Sequence, residues 1–280
     1  MTATVYEALA TAVRAEEPVA LASVIAGPRA GGKLLVRPDE PPLGTLGDPD
    51  LDRVVARDAL GELAAGTTAV RHYGEHGEAR EAVVAVFVES FAPPPRMLVF
   101  GAVDFTAALV RVAKVLGYRV TVCDAREVFA TRSRFPQADD VVVDWPDRLL
   151  GRVGSGLTAR DAVCVLTHDA KFDVPALVAA LGTEVGYVGA MGSRRTHADR
   201  LERLRDAGVG GSALARIRAP IGLDIGARTP EETAVSICAE IIAQRTGRHD
   251  ARPLRDTDGP IHRPAGPAEF AGPTAPAAAG

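Results

Sequence analysis

The chain lacks the features that would tie it to a membrane, a nucleic acid or an oxidising compartment. Its longest apolar runs, such as residues 82–88, fall far short of the ~20 residues that span a bilayer. Lys and Arg are scattered and the formal net charge is −4, so there is no basic footprint for nucleic acid. The opening MTATVYEALATAVRAEE has no basic start followed by an apolar stretch, so no secretory signal is expected. Only three cysteines occur, Cys123, Cys164 and Cys238, none in a C-x-x-C pair. They fit buried free thiols in a cytoplasmic protein better than a disulfide framework. Cys123, beside Asp124 at a strand end, is the one nearest a reactive position. No internal repeat is evident.

The 280 residues, 47% of them hydrophobic, suffice for two domains of ~150 residues each. The proline run FAPPPR at 91–96 fits neither a helix interior nor a central strand and marks the boundary. The expected division is a small mixed α/β N-terminal domain over 1–91 and a Pro-rich linker over 92–96. A Rossmann-like domain covers 97–248, and a tail at 249–280 without periodicity is expected to be disordered. In the first part, helices are expected at 5–16 and 51–65, with strands after the first helix, at Lys33–Val36, at 67–73 and at 81–89. Arg29 and Lys33 belong to a glycine-rich hairpin, and His72 and His76 read as surface histidines.

After the linker, strands at 97–100, 119–124, 138–143, 162–167 and 185–190 alternate with helices at 105–116, 146–153, 174–181 and 194–207. Continuous apolar strands between helices imply an α/β fold with a doubly wound parallel sheet covered on both faces. The last helix, 230–245, opens with Thr229, Pro230 and Glu232, a capping box with proline in the first turn. Val235, Cys238, Ile241 and Ile242 are its expected apolar face.

Ligands of such sheets bind at the carboxyl ends of the strands. Four segments end there. The first, Gly101-Ala102-Val103-Asp104, opens a helix, but of a G-x-G-x-x-G fingerprint only Gly101 is present. Val103 would crowd a pyrophosphate and Asp104 would repel it. The second carries Asp124, where a ribose-binding acid belongs, and Arg126, which would favour a phosphate. The third, Thr167-His168-Asp169, offers His168 as general acid/base or as a metal contact, with a carboxylate neighbour able to fix its tautomer. The fourth, GAMGSRR, joins Gly189 and Gly192 to a Ser193 cap and the guanidiniums of Arg194 and Arg195, an anion site of N–H groups, helix dipole and cations. No metal site is expected.

The stretches YVGAMGSRR, RIRAPIGLDIGARTPEETAVSICAEIIAQRTG, LTHDAKFDVPAL and DAREVFATRSRFPQAD resemble the XdhC/CoxI family, accessory proteins of molybdenum-containing xanthine and carbon monoxide dehydrogenases. PRAGGKLLV extends the likeness into the N-terminal domain. The resemblance implies two domains with a Rossmann-type second one. It also implies a maturation role: such proteins bind the molybdenum cofactor in a cleft, help equip it with sulfur and deliver it to a client. Expected partners are therefore a molybdenum hydroxylase and a cysteine desulfurase, with a homodimer as a further expectation. Two positions depart from the family pattern. GAVDFT stands where the family tends to read GAGHVA, and Asp50 and Asp52 stand where it carries a cysteine and a glutamate. An NAD(P)-dependent oxidoreductase and a non-catalytic interaction protein are the alternative readings.

Overall fold

The computed structural model describes residues 4–79, 81–248, 251–258 and 261. Helix α1 (Val5–Arg14) starts at a Thr4 capping box and precedes strands β1 (Val19–Ala26), β2 (Lys33–Val36) and β3 (Leu43–Thr45). Helix α2 (Pro49–Ala65) follows, then β4 (Ala69–Tyr73) and β5 (Val84–Phe91). The five strands form one sheet, ordered β3-β2-β1-β5-β4, with every pairing antiparallel. The α2 side chains Leu51, Val55, Ala59 and Leu63 pack on one face; Ala12 of α1 packs on the other. Covering both faces explains why β1 is buried from Val19 to Val24 rather than alternating. The three-residue β3 has too short an apolar pattern to be seen in the sequence.

Beyond the prolines the chain alternates. It runs β6 (Arg96–Phe100), α3 (Asp104–Val115), β7 (Arg119–Asp124), β8 (Asp140–Val143), α4 (Pro146–Val153), β9 (Ala162–Val165), α5 (Ala170–Leu181), β10 (Tyr187–Ala190) and α6 (Arg194–Asp206). A one-turn α7 (Gly211–Leu214), the two-residue β11 (Ile217–Arg218) and α8 (Pro230–Arg245) complete it. The sheet order is β11-β10-β9-β6-β7-β8, all parallel. Counted from β6, this is the 3-2-1-4-5-6 order of a dinucleotide-binding fold, with its switch point between β6 and β9. Helices α3 and α8 cover one face through Leu109, Ala113, Ile237 and Ile241. Helices α4, α5 and α6 cover the other through Leu150, Leu177 and Leu204.

Two local expectations are corrected. Helix α5 starts at Ala170, not at 174, because the Asp169 side chain caps it by accepting the Lys171 N–H. The buried face of α8 is Ala234, Ile237, Cys238 and Ile241, whereas Val235 and Ile242 are exposed. At 100° per residue those two project away from the α3 contact. Helix α7 and β11 are too short to announce themselves. The expectation for the tail falls largely outside the described residues; within them Leu254–Asp256 form one 3-10 turn. No described helix is long and apolar enough to cross a membrane.

The two sheets are joined by the segment between β5 and β6. Arg160, just before β9, donates to the Pro93 carbonyl at 2.9 Å, and its guanidinium lies against Gly66 at the end of α2. These contacts are at the amino edge of the parallel sheet.

The Thr229 hydroxyl accepts the Glu232 N–H, and the Glu232 carboxylate accepts those of Arg228 and Thr229. Thr229→Ala should therefore cost ~1 kcal/mol in urea denaturation. An unchanged midpoint would show that this cap contributes nothing to stability.

Candidate functional site

The four carboxyl-edge segments are brought together by a continuous chain of contacts. Gly101, with φ +110, turns the chain out of β6, and a Cβ there would lie 2.6 Å from Thr167 Cγ2. Only glycine allows β6 and β9 to end side by side at the switch point. The Ala102 N–H donates to Asp124 Oδ2 at 2.8 Å, tying the first segment to the second. The Thr167 hydroxyl donates to Asp173, whose Oδ2 accepts Arg200 Nη2 at 3.0 Å. The same Nη2 donates to the Met191 carbonyl at 2.7 Å, which joins the third segment to the fourth.

Asp124 does not present itself to a ribose. It is 4% exposed. One oxygen accepts the Arg126 backbone N–H and Nε; the other accepts Ala102 N and Arg126 Nη2. Burial pushes its pKa up, but the hydrogen bonds from Arg126 and Ala102 outweigh it and the carboxyl titrates below its usual value. The carboxylate thus occupies an N–H of the turn that a pyrophosphate would need. Val103 supplies no side-chain cap to α3, and the Asp104 carboxylate is 91% exposed at its first residue. The carboxylate stands where a dinucleotide phosphate would approach and lies 3.6 Å from Arg134 Nη2.

His168 and Asp169 are both exposed, and they do not form the expected pair. Asp169 is committed to α5, bonding the Lys171 N–H and lying 3.3 Å from Lys171 Nζ. The buried carboxylate of this segment is Asp173, one turn into α5, held by Thr167 and Arg200. Asp173 and its partner Arg200 are buried, and sequence reasoning gave neither a role. Burial raises the Asp173 pKa, and the Thr167 hydroxyl and Arg200 only partly counter it. A signal was present: an Arg amid the apolar positions of an amphipathic helix, Leu201 and Leu204, needs a buried partner. Cys123 is also inaccessible. Its thiol faces the Asp144 carbonyl at 3.3 Å and burial pushes its pKa up to about 12, so it is no thiolate nucleophile.

At the fourth segment Gly192 has φ +139, which swings the chain into α6. Ser193 caps the helix by accepting the Thr196 N–H at 3.1 Å. Among the described residues, the backbone N–H groups of Arg194 and Arg195 and both their exposed side chains have no protein acceptor. Two free amides, the positive end of a 13-residue helix and two unpaired guanidiniums are a donor set for a phosphate. Ile221 packs over Gly189 and donates its N–H to the Ala190 carbonyl at 3.1 Å. Among the described residues, no hydrogen bond or ion pair joins the fourth segment to residues 4–91. The contacts between the two sheets are at the opposite edge, about 16 Å away along a five-residue strand. Two surface cavities, of about 480 and 390 Å³, lie along α6, α7 and β10–β11.

Comparison with known proteins bears on this geometry. Residues 97–241 match the family described as the XdhC Rossmann domain, and residues 12–74 match the XdhC and CoxI family. The chain belongs to the XdhC/CoxI family. It is 34% identical to a protein of Bacillus subtilis named as a probable xanthine dehydrogenase subunit, over 57% of this chain and 46% of that one. It is 29% identical to the "Molybdenum cofactor insertion chaperone PaoD" of Escherichia coli, over 57% of this chain and 43% of the relative. The chain thus spans less than half the length of these curated relatives. A crystal structure described as a xanthine dehydrogenase from Bacillus halodurans matches 90% of this chain and 98% of its own. Its TM-score is 0.52 at 20% identity, a likeness of fold. In this XdhC/CoxI chain the signature PIGLDIGARTPEE folds as the cover of β10. The Gly222 N–H and the Tyr187 hydroxyl converge on the Glu240 carboxylate at 2.8 and 2.5 Å, and Ser236 Oγ donates to the Leu223 carbonyl at 2.6 Å. The departures in the N-terminal unit lie at the start of α2. Asp50 is exposed and pairs with Arg53, whereas Asp52 accepts from Thr45 and from the Leu46 N–H.

Two outcomes test the site's scaffold. Removing the Asp124 charge in Asp124→Asn should cost about 2 kcal/mol at pH 7, since hydrogen bonds to an ionised group are lost. The folded pKa is depressed, so this contribution is full above the unfolded value, roughly 3.9, and fades as pH falls through the folded one. Urea denaturation at pH 7 and pH 3 should show the gap closing in acid, and a constant gap would contradict it. Arg200→Met should cost about 3–5 kcal/mol in the same assay by leaving Asp173 buried and unpaired, and Arg200→Met/Asp173→Leu should recover most of it.

Proposed function

We propose that the chain is an accessory protein in the maturation of a molybdenum-containing dehydrogenase, and that it holds the phosphate of the molybdenum cofactor at the Gly192–Arg195 turn. The carrying observation is the uncommitted donor set there. Around it, Asp124 is held by Ala102 and Arg126 and Asp173 by Thr167 and Arg200, while Arg200 Nη1 and His197 Nδ1 are buried without a partner among the described residues. The names of the relatives, one of them a cofactor insertion chaperone, support the same reading.

The residues present fit the phosphate end of such a cofactor. Arg194 and Arg195 offer charge-assisted donors, Ser193 fixes the helix start, and Gly189 and Gly192 let the chain turn without side chains in the way. The pterin and its metal would supply the redox chemistry in the client enzyme. No thiolate for the metal end comes from Cys123, Cys164 or Cys238, because all three are buried and their thiols are pushed up by burial. Sulfuration therefore calls on a partner's sulfur carrier, such as a cysteine desulfurase. His168 stands exposed beside Thr167 as the free general acid/base of this edge. The dehydrogenase alternative is disfavoured, because Asp124 fills the α3 turn and Asp104 faces outward from it.

Calorimetric titration with molybdenum cofactor released from a molybdoenzyme tests the proposal. Arg194→Ala/Arg195→Ala should weaken binding roughly ten- to hundredfold, the loss of one or two charge-assisted hydrogen bonds, with the melting temperature unchanged. Equal affinity of wild type and double variant would refute the assignment.

A further inference from the structure

The parallel sheet's carboxyl edge carries a second feature, beyond β7 and β8 and beside the start of α5. The chain is poor in aromatic residues, 5% in all with a single tryptophan, yet three rings gather here. Trp145, at the start of α4, meets Phe172 of α5 with ring centroids 5.0 Å apart and tilted by 43°. The Arg126 guanidinium lies 4.5 Å from the Phe129 centroid and 5.9 Å from that of Phe172. Lys171 Nζ stands 4.8 Å from the Phe172 ring. Trp145, Phe172, Arg126 and Phe129 thus form one connected surface, with cations interleaved between rings.

Only the inner ring, Phe172, is used up in packing; Trp145 and Phe129 keep 38% and 40% of their surface open. Exposed apolar side chains occur elsewhere in the chain, but these two rings stand open at the carboxyl edge and flank a guanidinium held in place. Arg126 is also fixed in its plane by the bidentate bond to Asp124, itself anchored on the Ala102 N–H. A guanidinium immobilised face-on beside exposed rings is the chemistry that recognises flat, electron-rich heterocycles.

We propose that Trp145, Phe129 and Arg126 form a ring subsite that stacks a planar nitrogen heterocycle, a nucleobase or a pterin, belonging to the phosphate-bearing ligand. The inference rests on the reading that this edge binds a phosphate ester, and it assigns the ligand's ring to the half of the edge away from Gly192. Arg126 follows β7 and Gly192 follows β10, three strand spacings apart, or about 14 Å. Ring and phosphate therefore occupy the two ends of an elongated ligand.

The lone tryptophan makes the subsite directly observable, because the folded chain has one indole N–H resonance. The experiment titrates the ¹⁵N-labelled full chain with adenosine, with cytidine and with neopterin, and with ribose 5-phosphate as a probe lacking a ring. Ring-bearing probes are expected to shift the Trp145 indole signal saturably at millimolar concentration, and ribose 5-phosphate to leave it in place. Phe129→Ala, at a half-open position, should weaken that binding roughly five- to hundredfold, the usual size of a stacking loss. A larger effect of neopterin than of the nucleosides identifies a pterin, and the reverse a nucleobase. An indole signal unmoved by every ring probe overturns the subsite, and so does an affinity that Phe129→Ala leaves unchanged. Failure of the phosphate reading is seen separately, as wild-type and Arg194→Ala/Arg195→Ala chains binding inorganic pyrophosphate equally in calorimetry.

Discussion

The ion pair between Asp173 and Arg200 holds the carboxyl edge in register. Arg200 is 2% exposed, and its guanidinium reaches from α6 to α5 and to the Met191 carbonyl, while Asp173 takes the hydroxyl of Thr167. Four elements, the ends of β9 and β10, the first turn of α5 and the middle of α6, meet at two charges removed from water. Such a pair adds little net stability compared with apolar side chains, because desolvation offsets the attraction. Its value is geometric: breaking either half leaves a buried charge, so alternative positions of the Gly192 turn are costly. The turn can then leave its own donors unfilled without collapsing onto them.

The other end of the edge uses the same device to a different effect. Asp124 is also buried beside an arginine, but its second oxygen closes the α3 turn from within. In a dinucleotide enzyme that turn is left open for phosphate and the acid is left free for ribose. Here the acid and the turn satisfy one another, and Arg126 is thereby fixed against the aromatic rings. The fold's usual phosphate position is filled, and the uncommitted N–H and guanidinium donors lie two strands further along, after β10. The scaffold is shared with nucleotide-dependent dehydrogenases, whereas the placement of free donors is not.

Elements set by local rules were legible in the chain. The capping box of α8, the proline break before β6, the strand Lys33–Val36 and the glycine turns at 101 and 192 depend on neighbours a few residues away. The family signature 220–232 was legible as a pattern, but its task was not. It covers β10 through Glu240, which enters from α8 eighteen residues after Gly222. The start of α5 was misplaced because Asp169 reads equally well as the partner of His168 and as a helix cap. Which hydrogen bond wins depends on where Lys171 falls in space.

The sequence by itself determined the alternation of strands and helices, and hence a parallel sheet whose carboxyl ends carry Gly101, Asp124, Thr167 and Gly192. It does so because apolar periodicity, caps and glycine turns are properties of short stretches. Only the tertiary structure decided which polar groups spend their hydrogen-bonding capacity on the protein and which keep it. Asp124, Asp169 and Asp173 are equally acidic on paper, yet two are buried against arginines and the third caps a helix. Arg200 stands among the apolar positions of its helix and calls for a buried partner, but only the fold shows that the partner is Asp173 and that Arg194 and Arg195 have none among the described residues. That partition is set by pairs of residues 22 and 27 positions apart, Ala102 with Asp124 and Asp173 with Arg200. No local rule reaches across such distances.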